Sequence, residues 1–224
     1  MTTTWGALPE ARILSGDAPI AGAGVTLRDF WAWSLSDLRT NTVRSLLAEY
    51  LVARAVGAHV RPRVEWDAYD ARRSDGLRLE VKAGAYLQAW EQSKLSTVTF
   101  TGLRGRTWTP EDGYSAAASY NADGYVFAVL TAQEHARYDA LDLGQWAFWV
   151  LPVSRLAETG QRSIRLSVVD RMAGPPVGHA ELADRIREVV VRGREATEVP
   201  YLHPERREYD TSVGRSAGYT VQSV

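Results

Sequence analysis

Val64-Glu65-Trp66-Asp67-Ala68-Tyr69-Asp70, followed after a short turn by Leu77-Arg78-Leu79-Glu80-Val81-Lys82, reads as two adjacent β-strands. In the second stretch Leu77, Leu79 and Val81 point one way and Arg78, Glu80 and Lys82 the other, because side chains alternate with a period of two. Ser74-Asp75-Gly76 carries the residues that fold the second strand back on the first. Burying a glutamate and a lysine on one strand face is costly unless they meet a metal or partner charges. Asp70, close to the turn and ten positions before Glu80, can approach both. Asp67 is a second candidate for the acid of the first strand. A metal-dependent hydrolytic site has this layout.

Lys82 carries a further signal. The chain has two lysines, Lys82 and Lys94, among 26 basic residues, and the other 24 are arginines. Arginine is a planar fork that stays charged, whereas lysine is a compact donor that can orient a water molecule. A chance survivor in an arginine-rich background is the plainer explanation, but the lysine falls where the chemistry would need it.

Composition sets outer bounds. At 224 residues and 45% apolar content the chain suits one domain with modest insertions. It has no cysteine, which removes disulfides and thiolate metal sites and fits a reducing cytoplasm. No stretch approaches the ~20 apolar residues of a membrane span, and no basic-then-apolar signal pattern opens the chain. The formal charge of −1 excludes a bulk positive coat for nucleic acid but leaves room for a local one.

Working outward, residues 1–24 read as an irregular lead-in, 25–192 as the folded domain and 193–224 as a polar tail. Thr26 and Asp29 have N-cap spacing before a helix beginning at Leu27, and Phe30, Trp31 and Trp33 suggest that it is pinned to the body of the domain. A second helix runs from Asn41 or Thr42 to Ala55 and stops at Gly57. Its expected apolar stripe is Val43, Leu46, Leu47, Tyr50 and Leu51, with Glu49 on the margin. Residues 96–101 and 163–169 alternate as strands, 102–121 read as a polar loop, and 125–130 and 146–151 as strands covered on both faces. Residues 179–192 form an amphipathic helix. Arg61, Arg63, Arg72, Arg73 and Arg78 gather around the hairpin, as phosphate contacts or as ordinary solvated charge. The four histidines share no ligand spacing, and no nucleophile elbow or phosphate-binding loop is present.

Asp70, Glu80 and the backbone carbonyl of Val81 make a hard, oxygen-rich set suited to Mg²⁺ or Mn²⁺. The order of a helix with Glu49, a strand with Asp70 and a strand with Glu80-Val81-Lys82 resembles the PD-(D/E)XK nuclease superfamily. The likeness extends over Phe30–Ser34, Ala48–Ala53, Glu80–Ala83, Tyr86–Trp90 and Gln145–Pro152, some 25–190 in all, and points to a bacterial branch. It implies an α/β restriction-endonuclease-like core, a central mixed β-sheet flanked by helices. It also implies divalent-metal-dependent endonuclease activity on DNA, by in-line attack of a metal-activated water. Asp70 and Glu80 would then hold the metal with the Val81 carbonyl, and Lys82 would position the nucleophile. Glu49 would be the first-helix acid and serve a second metal site. Gln88 matches a glutamine that some members place after the lysine. A proline that commonly precedes the aspartate is missing here.

Two other readings stay open. One is a DNA-binding or assembly subunit that keeps the fold without cutting. In the other, Glu80 and Lys82 form a structural ion pair in an unrelated domain. Double-strand cutting commonly needs two sites, so a homodimer is expected, although no dimer motif is visible.

Overall fold

The computed structural model describes residues 11–63, 67–109 and 112–193. In chain order it begins with β1 (Pro19–Ile20), β2 (Val25–Thr26), α1 (Leu27–Leu35) and α2 (Asn41–Ala55). Next come β3 (Ala71–Arg72), β4 (Arg78–Ala85), β5 (Thr99–Thr101), β6 (Trp108–Thr109), β7 (Gly113–Tyr114) and β8 (Gly124–Leu130). The last elements are β9 (Trp146–Pro152), α3 (Val153–Ala157), β10 (Ser163–Arg165), α4 (Leu166–Ala173) and α5 (His179–Ile186), with a π-helical turn over Arg187–Val191.

The chain is a mixed α/β fold around a four-stranded mixed sheet of order β3-β4-β8-β9. Strand β4 is antiparallel to β3 and parallel to β8, and β8 is antiparallel to β9. All seven residues of β8, Gly-Tyr-Val-Phe-Ala-Val-Leu, are buried, as expected of a strand with both faces covered. On one face Val126, Ala128, Leu130, Leu79 and Val81 pack under Ala48 and Val52 of α2 and Leu182 and Ile186 of α5. On the other, Tyr125, Phe127 and Val129 meet Phe100 of β5, Ile164 of β10, Leu156 of α3 and Val169 of α4. Each fully buried Leu, Val or Phe stabilises by roughly 1.5–3 kcal/mol. The β4–β8–β9 plane is therefore the rigid part of the molecule, and β4 is held in it along its whole length. Among the described residues no helix is long and apolar enough to cross a membrane.

The hairpin exists, but its first strand is shorter than expected. Residues 64–66 lie outside the described residues, Asp67–Asp70 form a run of bends, and only Ala71 and Arg72 pair with β4. The turn chemistry is as read. Gly76 adopts φ +86° and donates to Arg73 O, Arg73 N–H donates to Leu77 O, and Leu77 N–H donates to the Asp75 carboxylate.

Several local expectations change. The cap of α1 forms, with Asp29 Oδ2 accepting from both the backbone N–H (2.7 Å) and the hydroxyl (2.8 Å) of Thr26. Yet α1 is not pinned to the body, for none of its residues is buried. On α2 the buried line is Arg44, Ala48 and Val52, rotated from the expected stripe, and Tyr50 faces outward. Small residues at 48 and 52 let the helix lie close on the sheet. Arg44 goes under because neutral acceptors, Arg39 O and the side-chain oxygens of Asn41 and Gln88, surround its guanidinium. Residues 163–169 are strand only to Arg165 and then turn into α4, while 96–101 is strand only from Thr99. The polar loop 102–121 contains the small β6–β7 hairpin, and the lead-in contains β1, paired with β2. The tail beyond 193 lies outside the described residues.

Candidate functional site

Strand alternation puts Glu80 and Lys82 side by side on β4, with Lys82 Nζ 2.7 Å from Glu80 Oε1. Both side chains are largely covered, leaving 16% of Glu80 and 21% of Lys82 exposed. The loop after β5 comes close here. Gly102 has φ +67°, and a Cβ on it would sit 3.6 Å from Lys82 Nζ. Glycine there accommodates both the backbone angle and the approach.

Edge strand β3 ends at Ala71 in the direction of Asp70, and its register with Leu79 carries Asp70 across from Glu80. Side chains facing each other in such a pair have Cβ atoms about 4.5–5.5 Å apart. Asp70 N–H donates to Leu79 O (3.0 Å), and Asp70 Oδ2 accepts from Val81 N–H at 2.7 Å. The carboxylate thus caps the strand edge where backbone pairing stops. A strand residue presents its N–H and C=O to the same neighbour, so the Val81 carbonyl also faces this edge. Asp67 is exposed and accepts from the adjoining Ala68 N–H.

From α2, Glu49 completes the group. Its carboxylate is clasped by the Arg63 guanidinium and is only 12% exposed. Burial raises the carboxyls of Glu49, Asp70 and Glu80 above their ordinary values. The charge of Asp70 pushes Glu49 and Glu80 further up, whereas Lys82 pulls all three down, joined by Arg63 at Glu49 and Asp70. Three acids and two bases therefore share one electrostatic neighbourhood, and burial outweighs the cations. Neighbouring Tyr125, in register with Glu80 on β8, is also pushed up, by burial first and then by the Glu80 charge.

Gln88 does not join them. It is 8% exposed, beyond the end of β4, and its amide donates to Ala85 O (3.0 Å) and Ser96 Oγ (3.3 Å). Its Oε1 accepts from Arg44 Nη2 at 3.3 Å. Arg44 and Glu49 are five residues apart on α2, roughly 7 Å along the helix axis. Gln88 therefore fastens the start of α2 to the end of β4.

The donor chemistry suits a hard divalent ion. Asp70 and Glu80 offer carboxylate oxygens beside the Val81 carbonyl, and their raised proton affinity marks negative charge that a cation would compensate. Among the described residues no three acidic or histidine side chains converge as a ready cage. Glu49 is engaged by Arg63, Glu80 by Lys82, and one oxygen of Asp70 by Val81. A two-carboxylate site completed by water and substrate phosphate is the usual habit of Mg²⁺. Glu49 could serve as a further ligand only after parting from Arg63.

A cavity of about 710 Å³ opens over Glu49 and Asp70, and Arg61, Arg63, Arg72 and Arg73 line it. Of the arginines around the hairpin, Arg63 holds Glu49, Arg78 pairs with Asp123 at 3.0 Å and Arg73 with Asp75 at 2.9 Å. The Arg63–Glu49 clasp joins residues 14 apart on α2 and the following loop. The one sequence signal for it was the presence of Arg63 in the basic run. Set beside known proteins, the sequence matches no family model and no curated relative, and the reading of the site rests on this geometry.

Proposed function

We propose that the protein is a divalent-metal-dependent deoxyribonuclease with a restriction-endonuclease-like core, hydrolysing phosphodiester bonds. One observation carries the reading. Asp70, locked by the Val81 N–H and opening with Glu49 into an arginine-lined cavity, stands in register across from Glu80, which is paired with Lys82. Asp70, Glu80 and the Val81 carbonyl would hold the ion, either Mg²⁺ or Mn²⁺. When bound, such an ion polarises the phosphodiester oxygen and lowers the pKa of water beside it. Lys82 Nζ, paired with Glu80 and close to Gly102, would donate to the attacking water and hold it in line with phosphorus. Arg61, Arg72 and Arg73 would draw the strand's phosphates over the carboxylates. The parallel β4–β8 pair with α2 packed against β4 supports the core assignment.

A second reading, a DNA-binding subunit that does not cut, has its own support. Each of the three carboxylates already has a protein partner. Calorimetry with Mn²⁺ separates the two. The nuclease reading expects binding by the wild type that Asp70→Ala removes, whereas no binding by the wild type favours the second.

A further inference from the structure

Residues 11–36 form an arm built around α1 that the two cores do not use. Its hydrogen bonds run within it. Leu27 N–H donates to Ala18 O, Arg28 N–H to Gly16 O, and the Arg28 guanidinium meets Asp17 at 2.6 Å. Among the described residues none of its hydrogen bonds reaches the sheet or the helices α2–α5. Six of the nine residues of α1 are apolar, yet none is buried. Trp33 is 84% exposed, Phe30 48% and Trp31 38%, with Leu35, Ile20 and Val25 open beside them. Phe30 and Trp33 are neighbours at helical spacing, as are Trp31 and Leu35.

A helix this short does not hold in water by its own propensity, which calls for at least ~12–15 residues. Two-residue strands add little to it. Such an apolar surface marks a place where something docks.

We propose that α1 with the β1–β2 hairpin is a homodimerisation arm, covered by the same surface of a second copy across a two-fold axis. Charge argues for this occupant. The arm carries Arg12 and Arg28 against Asp17 and Asp29, so it is neutral, and two neutral apolar faces meet without repulsion. A polyphosphate or an anionic lipid surface needs a basic face. The chain after residue 193 has one leucine, no phenylalanine and no tryptophan, and its three tyrosines are spread among charged and small residues. Area argues the same way. Fully covered, the open aliphatic and aromatic side chains of the arm would bury at most on the order of 900 Å² per copy, against ~800 Å² per partner in a standard interface. An isologous contact uses one patch twice, so this surface suffices by itself. Aromatic anchors at the centre are what such interfaces rely on.

The test is the mass of the full-length protein by sedimentation across a concentration series, for the wild type and for Phe30→Glu/Trp33→Glu. Wild type passes from one copy to two as concentration rises. The double variant raises the dissociation constant at least about tenfold, as loss of an interfacial hot spot does. It keeps the far-ultraviolet dichroism and melting temperature of a single copy, because both side chains lie outside the cores. A wild type that stays single at the highest concentration overturns the proposal without recourse to any variant. A dimer that persists unchanged in the double variant does so too. If the wild type is single but associates once residues 194–224 are removed, the tail is the occupant and the proposal fails. It fails equally if the protein stays single and the double variant loses retention of DNA or of anionic vesicles.

Discussion

Asp70 reaches past the end of its own strand to accept the backbone N–H of Val81 at 2.7 Å, on the edge of β4 opposite the one that β8 occupies and in register with Glu80. The bond orients the carboxylate through a rigid backbone donor in a strand buried over most of one face. A side chain held that way keeps its geometry when a ligand arrives.

Burial raises Asp70, Glu80 and Glu49, so the folded state holds their protons more tightly than the unfolded chain does. Stability then falls as pH rises from the ordinary carboxyl range, about pH 4, through the raised values. Asp70→Asn keeps an oxygen for the Val81 N–H and removes one ionising group. Thermal melts should show the variant gaining on the wild type toward neutral pH, with a flatter slope. Parallel pH profiles for the two proteins would contradict this.

Removing the Arg63 side chain leaves Glu49 largely covered without its clasp. Arg63→Ala should cost about 1–3 kcal/mol at neutral pH, less in acid, where Glu49 takes up a proton. Arg63→Lys should recover only part, since the fork contact with both carboxylate oxygens is lost. Urea denaturation at two pH values measures both.

Gln88 separates what the family likeness implies from what the contacts imply. Gln88→Ala strips Arg44 of a buried acceptor and should cost about 1–3 kcal/mol. Mn²⁺ binding per folded molecule should remain, because Asp70, Glu80 and Lys82 are untouched. Loss of metal binding at full stability would instead place Gln88 in the site.

A methyl group at residue 102 would strain a backbone at φ +67° and lie in van der Waals contact with the Lys82 ammonium. Gly102→Ala should therefore destabilise by about 1 kcal/mol or more and alter the environment of Lys82. Chemical denaturation gives the first, and the NMR chemical shifts of the Lys82 side chain at fixed pH give the second.

Local rules were the legible part. Glu80 beside Lys82 follows from period-two alternation, the turn from Ser74-Asp75-Gly76, and the buried strands from Val126–Leu130 and Phe148–Leu151. Relationships over distance were not. Glu49 looked marginal because its partner Arg63 lies 14 residues on, and Gln88 suggested a place beside the lysine because its partner Arg44 lies 44 residues back. Arg44 itself shows why the face of α2 was misjudged, since carbonyl and amide oxygens can bury an arginine that hydropathy assigns to water. Phe30 and Trp33 report apolar surface without saying whether their own domain covers it. The alternation of Ser163–Arg165 continues along the sequence into residues that α4 claims.

Supercoiled plasmid incubated with Mg²⁺ or Mn²⁺ and either wild type or Lys82→Ala tests the central claim most directly. The wild type should nick the DNA, with chelator abolishing the reaction. Lys82→Ala should lose at least about 100-fold of the rate, the span of one positioned proton donor, while staying folded at the assay temperature by far-ultraviolet dichroism, even though Glu80 loses its ion-pair partner. Equal rates for the two proteins, or equal inertness on single-stranded, duplex, branched and modified DNA, would contradict it.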